Sequence, residues 1–194
     1  MLAYSAKIEW YQPSVGNRRL LRESHEMLAR GRKKFAGRNI VAIEADARGC
    51  LVDVQATDGL LVSGDPELLR SAFENVIRNA VRYSPMGALV AVQARRATPE
   101  GSHDTKVEVT VRDSGPGVPE KELGAIFEPF YRVDAAREHR SAGGEGLGLA
   151  IAARAVALHG GSISARNLDG GGLMMTVSLP GLARQPSHAH PAAA

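Results

Sequence analysis

Apolar positions change their period several times along the chain, and each change marks an element. In 18–34 a charged stretch has loose helical spacing at Leu20, Leu21, Met27 and Leu28, so 1–34 is expected to be an appendage or the end of a preceding helical segment. A further helix is expected over 35–47, with apolar Ile40, Val41 and Ile43, and a strand over 50–56, opened by Leu51 and Val52. The clearest helix starts at Asp65, a good N-cap, with Pro66 at the first helical position. Leu68, Leu69, Ala72, Phe73, Val76, Ile77, Ala80 and Val81 then recur at helical spacing until Ser84, Pro85 and Gly87 stop it. Segments 89–95 and 106–112 alternate at period two around a polar loop and read as antiparallel partners. A short helix is predicted after Pro119 and an Ala-rich helix over 147–159, stopped by Gly160-Gly161. Strands over 162–166 and 173–179 complete the pattern, and 183–194 is expected to be a disordered tail. This order suits an α/β fold, a two-layer α/β sandwich in which a mixed sheet is covered on one face by helices. Its domain is expected to span 35–182.

Composition narrows the class without naming a function. With 194 residues, 44% of them hydrophobic, the chain can build one domain of ordinary size plus tails. Twenty-four Lys and Arg against twenty-one Asp and Glu give +3, and no run of five like charges forms a nucleic-acid stripe. A mixed, solvated surface is expected, with no nucleic acid bound. Cys50 stands alone, which rules out a disulfide framework and a thiolate zinc site and suits a reducing compartment. No apolar run reaches the roughly 18–20 residues of a membrane span, and the start lacks a signal-peptide pattern, so the chain as given is expected to be soluble, cytoplasmic and without membrane contact.

Three constellations carry candidate chemistry. Ser71, Asn75, Asn79 and Arg82 follow one another at steps of four, four and three, forming a polar stripe beside the apolar face of the Asp65 helix. An amide oxygen there suits Mg²⁺ and an arginine one turn on suits a phosphate, although the same residues also read as ordinary surface. Asp113-Ser114-Gly115-Pro116-Gly117 follows a strand directly. It reads equally as a carboxylate placed to accept from an exocyclic amine or as a plain turn. Gly143-Gly144-Glu145-Gly146-Leu147-Gly148-Leu149 opens the Ala-rich helix, where free N–H groups and the positive dipole end suit phosphate, or else it is a flexible linker. It has neither the strand context of a dinucleotide fingerprint nor the Gly-Lys-Ser/Thr of a P-loop.

In this order and spacing the three are far more specific than any one. Glu74-Asn75-Val76-Ile77-Arg78-Asn79-Ala80 resembles the N box of bacterial sensor histidine kinases, and Asp113-x-Gly115-x-Gly117 their first glycine box. Phe127-Glu128-Pro129-Phe130-Tyr131-Arg132 resembles their F box and Gly144-x-Gly146-Leu147-Gly148-Leu149 their second glycine box. His159-Gly160-Gly161 and 170–180 look like the closing strands, so the resemblance covers 40–180. It implies the Bergerat (GHKL) fold and a catalytic domain that binds Mg-ATP and transfers its γ-phosphoryl group to a histidine.

The resemblance also implies roles. Asn79 matches the Mg²⁺ ligand and Asn75 the amide that supports the phosphates, with Arg82 and Tyr83 the basic and aromatic residues at the N-box end. Asp113 matches the adenine-binding aspartate, followed by Gly115, Gly117 and Val118. Gly144, Gly146 and Gly148, with Leu147 and Leu149, match the phosphate-contacting turn. Segment 118–142 would be the mobile ATP lid, anchored by Phe127 and Phe130, with Arg132 and Arg137 as its cations for the γ-phosphate. Glu145 stands where the family has Thr or Ser. His25-Glu26 is followed by Met27-Leu28-Ala29-Arg30 without a proline and lies close to the N box, so His25 reads as a surface histidine. The implied partners are therefore a dimerisation and phosphoacceptor histidine domain outside this chain and a response regulator, and a longer native protein would have room for an inner-membrane sensor. Rival readings are a degenerate docking module, a GHKL serine kinase, and a GHKL ATPase of the gyrase or chaperone sort. For the ATPase, the general-base position one turn before Asn79 holds Asn75 rather than Glu.

Overall fold

A computed structural model describes residues 40–57, 59–98, 104–133 and 145–182. The expected appendage, 1–34, and the tail, 183–194, lie outside the described residues. In chain order the elements are α1 (Ile40–Ala47), β1 (Leu51–Ala56), α2 (Pro66–Tyr83), β2 (Leu89–Ala97) and β3 (Lys106–Arg112). Two 3₁₀ turns (Glu120–Glu122 and Ala125–Phe127), α3 (Gly148–Leu158), β4 (Ser162–Asn167) and β5 (Leu173–Pro180) follow. The predicted short helix after Pro119 is thus a pair of single turns, closed by bonds such as Leu123 N–H to Glu120 O and Glu128 N–H to Ala125 O rather than by an α-helical ladder.

The strand order is β1-β2-β3-β5-β4, with β1 and β2 parallel and every other pair antiparallel. Register carries the sidedness across all strands. Val92, Val111 and Met175 line up with Ala165, and Ala94, Val109 and Val177 with Ile163. These side chains join the core cluster beneath the helices. The residues between them, such as Gln93, Thr110, Thr176 and Ser164, share the opposite, polar face. Half of each strand is therefore apolar, which is why the sheet has one helical layer rather than two.

Helix α2 is built as its sequence dictates. The Asp65 carboxylate accepts from the N–H groups of Glu67 (2.9 Å) and Leu68 (3.0 Å), while Glu67 in the first turn and Arg82 in the last complement the dipole. It buries Leu69, Ala72, Phe73, Val76, Ile77, Ala80 and Val81. Its end is pinned by Arg48 Nη2, which donates to the carbonyl of Ser84 at 2.8 Å, before Pro85 forbids continuation. Helix α3 packs along it and contributes Ala152, Ala155 and Val156 to the same core.

His159 ties the far ends of these two helices together. Its Nδ1–H donates to the Ala155 carbonyl (2.6 Å) and its Nε2 accepts from the Asp65 N–H (2.9 Å). His159→Ala leaves that N–H and that carbonyl to water, at about 1 kcal/mol. The melting temperature is expected to fall by a few degrees, with nucleotide affinity at 20 °C unchanged; a melt that does not move means that the bridge contributes nothing to stability.

Candidate functional site

The strand β3 ends at Arg112, and the next residue, Asp113, is only 5% exposed. Its backbone N–H donates to Leu173 O (3.0 Å), while Oδ1 accepts from the N–H groups of Gly115 (2.8 Å) and Leu173 (3.1 Å). The carboxylate is therefore strapped to the start of β5 and to its own loop through one oxygen. Among the described residues Oδ2 has no hydrogen-bond partner, so it is the oxygen available to a donor. Burial pushes the Asp113 carboxyl above the ordinary carboxylate range, and the Gly115 and Leu173 amides pull the other way.

Glycine in this loop is required by contact. A Cβ at Gly115 would lie 2.8 Å from the Tyr83 carbonyl oxygen and 3.0 Å from Asp113 Oδ1. The Asp113 loop thus presses on the C-terminus of α2, the end that carries Asn79, Arg82 and Tyr83. Asn79 and Arg82 are half-buried there and Tyr83 is exposed. One residue on, Ser84 is 1% exposed and its Oγ finds no partner among the described residues. The sequence reads Ser84 only as a helix stop and gives no sign of this orphaned hydroxyl.

The middle of α2 meets the second glycine segment. A Cβ at Gly148 would approach Asn75 Oδ1 to 3.1 Å, so the first turn of α3 lies against the Asn75 amide. The N–H groups of Gly148, Leu149 and Ala150 have no intrahelical acceptor, and the first helical bond is Ile151 N–H to Leu147 O at 2.9 Å. The Leu149 side chain packs on the core, so only its backbone can serve a ligand. Gly146 has φ +76°, and its carbonyl accepts from the Phe130 N–H at 3.0 Å. Glu145 is exposed. Gly144 and Arg137 lie outside the described residues.

The structure corrects the expected lid anchor. Phe127 packs on the core beside buried Ile126, but Phe130 is 70% exposed. Its backbone has φ +64°, a left-handed turn that aims the N–H at Gly146 and throws the ring outward. Ile126, Phe127, Leu123 and Val118 form the apolar anchor instead. The segment expected to be a lid over 118–142 is therefore built into the domain as far as Val133, and 134–142 lies outside the described residues. Arg132 is half-buried and already has an interaction within the protein.

The donors that α2 offers a metal are neutral amides. Among the described residues no three His, Cys, Asp or Glu side chains are placed to hold an ion. The neutral amides of Asn75 and Asn79 suit Mg²⁺, a cation that keeps its waters and leans on substrate phosphates rather than on a protein cage. No described helix is long and apolar enough to cross a membrane.

Comparison with known proteins agrees with this fold. Residues 64–182 match the family described as histidine kinase-, DNA gyrase B- and HSP90-like ATPases. The signal transduction histidine-protein kinase BaeS of Escherichia coli is 37% identical over 134 residues, which is 69% of this chain and 27% of BaeS. This chain thus spans about a quarter of that relative's length. The solved structure of the mycobacterial sensor histidine kinase MprB superposes with a TM-score of 0.62 at 33% identity, covering 72% of this chain and 89% of that one. Full-length ShkA, solved in complex with AMPPNP, gives 0.59 at 28% identity, covering 74% of this chain and 28% of that one. The family match and the likeness to solved sensor kinases place the chain plainly: it belongs to the histidine kinase-, DNA gyrase B- and HSP90-like ATPase family, as the ATP-binding catalytic domain of the sensor histidine kinases.

Proposed function

We propose that this domain binds Mg-ATP between the Asp113 loop and the start of α3, and hands the γ-phosphoryl group to a histidine on a dimerisation module outside this chain. A response regulator would then receive it. The observation that carries this reading is the double contact of α2, which touches the Asp113 loop at Tyr83 and the α3 N-terminus at Asn75. A nucleotide laid along α2 has its base at one contact and its phosphates at the other. That ShkA was solved in complex with AMPPNP supports an adenine nucleotide as the ligand class.

Each residue has a stated task. Asp113 Oδ2 accepts from the adenine N6 amine. The N–H groups of Gly148, Leu149 and Ala150 receive phosphate oxygens at the positive end of α3. Arg82 supplies positive charge, and Asn79 would hold Mg²⁺, which when bound neutralises charge on the β- and γ-phosphates. Phosphoryl transfer asks the protein chiefly for positioning and charge, and these groups supply both. Hydrolysis is disfavoured by the nearest carboxylate, since Glu74 Oε1 is engaged by Arg70 Nε at 3.0 Å and is one position off the general-base place.

Calorimetric titration tests the reading with ADP and a non-hydrolysable ATP analogue, with and without Mg²⁺, on the native chain and Asn79→Ala. The native chain is expected to prefer adenine and to bind about tenfold more tightly with Mg²⁺, while Asn79→Ala loses that Mg²⁺ enhancement. Absence of binding at millimolar nucleotide would sink the kinase reading in favour of a docking module.

A further inference from the structure

Asn167, the last residue of β4, lies outside every motif named above, yet it grips Val118, just past the Asp113 loop, from 49 residues away. Its Oδ1 accepts from the Val118 N–H at 2.9 Å, and its Nδ2 donates to the Val118 carbonyl at 2.7 Å and to Glu120 Oε1 at 3.0 Å. One amide side chain thus imitates a strand partner, bonding both the N–H and the C=O of one residue where the sheet has ended. In register Asn167 faces Leu173, the residue whose N–H straps Asp113. The Asn167 amide also occupies the room beside Gly117: a Cβ there would come within 2.6 Å of Oδ1, and Gly117 has φ +76°. Glycine at 117 is therefore demanded by the clamp itself, before any ligand arrives.

We propose that Asn167 is a positioning residue for nucleotide binding. By fixing Val118 it sets the path of the Gly115-Pro116-Gly117 turn against Asp113. It touches no ligand atom; it acts through Gly117 and Val118. The inference rests on the nucleotide-binding reading above. Its geometry makes a prediction that a general packing role would not. Asn167→Asp preserves the acceptor for the Val118 N–H but turns the donor into an oxygen, facing the Val118 carbonyl and the Glu120 carboxylate. Glu120→Gln in that background returns a donor to the pair, now from the other side.

The test measures ADP and inorganic triphosphate affinity and amide exchange at Val118 in native chain, Asn167→Asp, Glu120→Gln and the double variant. Asn167→Asp is expected to weaken ADP about tenfold, to spare triphosphate and to speed Val118 exchange, while the double variant recovers at least half of the lost ADP affinity on a logarithmic scale. Unchanged ADP affinity in folded Asn167→Asp overturns the inference, as does an equal loss of ADP and triphosphate or a double variant no better than the single. If the native chain binds no ADP while Val118 exchange still responds to Asn167→Asp, the nucleotide reading fails, the positioning role goes with it, and the clamp stands as architecture only.

Discussion

Asp113→Asn is expected to weaken adenine nucleotides by about thirtyfold to a hundredfold while the domain stays folded. The substitution is nearly isosteric, and the amide oxygen can take the place of Oδ1, which accepts from Gly115 and Leu173. The strap to β5 therefore survives. What changes is the other atom: an acceptor becomes an NH₂ that meets the adenine amine donor to donor. Losing a hydrogen bond to a charged acceptor and leaving two donors opposed costs roughly 2–3 kcal/mol. Inorganic triphosphate, which never reaches Asp113, should bind unchanged, and a base with a carbonyl in place of the amine should be penalised less. Equal ADP affinity for Asp113→Asn and the native chain would remove Asp113 from the site.

The acidity of Asp113 adds a second reading of the same residue. Burial raises its pKa in the folded chain above the unfolded value. Folding thus favours the protonated form, so this group's contribution to stability is fully present below the unfolded pKa and is lost as pH rises through the folded one. Adenine binding runs the opposite way, because protonation occupies the acceptor. On acidification ADP affinity should begin to fall at a pH higher than exposed aspartates would give, and Asp113→Asn should abolish that dependence.

The sequence was most legible where one element carries its own instructions. Helix α2 has a capping carboxylate, a proline at its first position and one apolar face, so its limits and its polar stripe follow from nearest neighbours. The sidedness of the sheet was legible too, since β3 alternates throughout and β2 alternates in burial along most of its length. Strand order was not: β5 enters between β3 and β4, and nothing local says so. The same insertion brings Leu173 to Asp113 and Asn167 to Val118, contacts across 60 and 49 residues that have no periodic trace. Phe130 was misread for a related reason. An apolar residue in a lid suggests an anchor, but a left-handed backbone turn decides where its ring points.

Gly172→Ala should do what Asp113→Asn does not, removing fold and site together. Gly172 has φ +100°, and a Cβ there would overlap the Asp113 carbonyl oxygen, with the Asp113 carbonyl carbon at 3.2 Å and Ser114 Cα at 3.4 Å. All three are backbone atoms, so no side chain can swing aside. The positive φ alone costs a methyl-bearing residue about 1–3 kcal/mol. The overlap adds to this, and a total of about 3 kcal/mol or more is a large share of a domain's usual stability. The melting temperature should fall by roughly 10 °C, and the chain still folded at low temperature should bind ADP poorly, because relief of the overlap must move Asp113 or the start of β5. Gly170→Ala separates the two causes: its φ is +88°, but nothing lies within 4 Å of its Cβ position, so it carries the backbone strain without the collision. Gly172→Ala should therefore lose both more stability and more adenine affinity than Gly170→Ala. Equal losses would mean that β5 does not bear on Asp113 as closely as the geometry requires, and that the aspartate is held by its own loop alone.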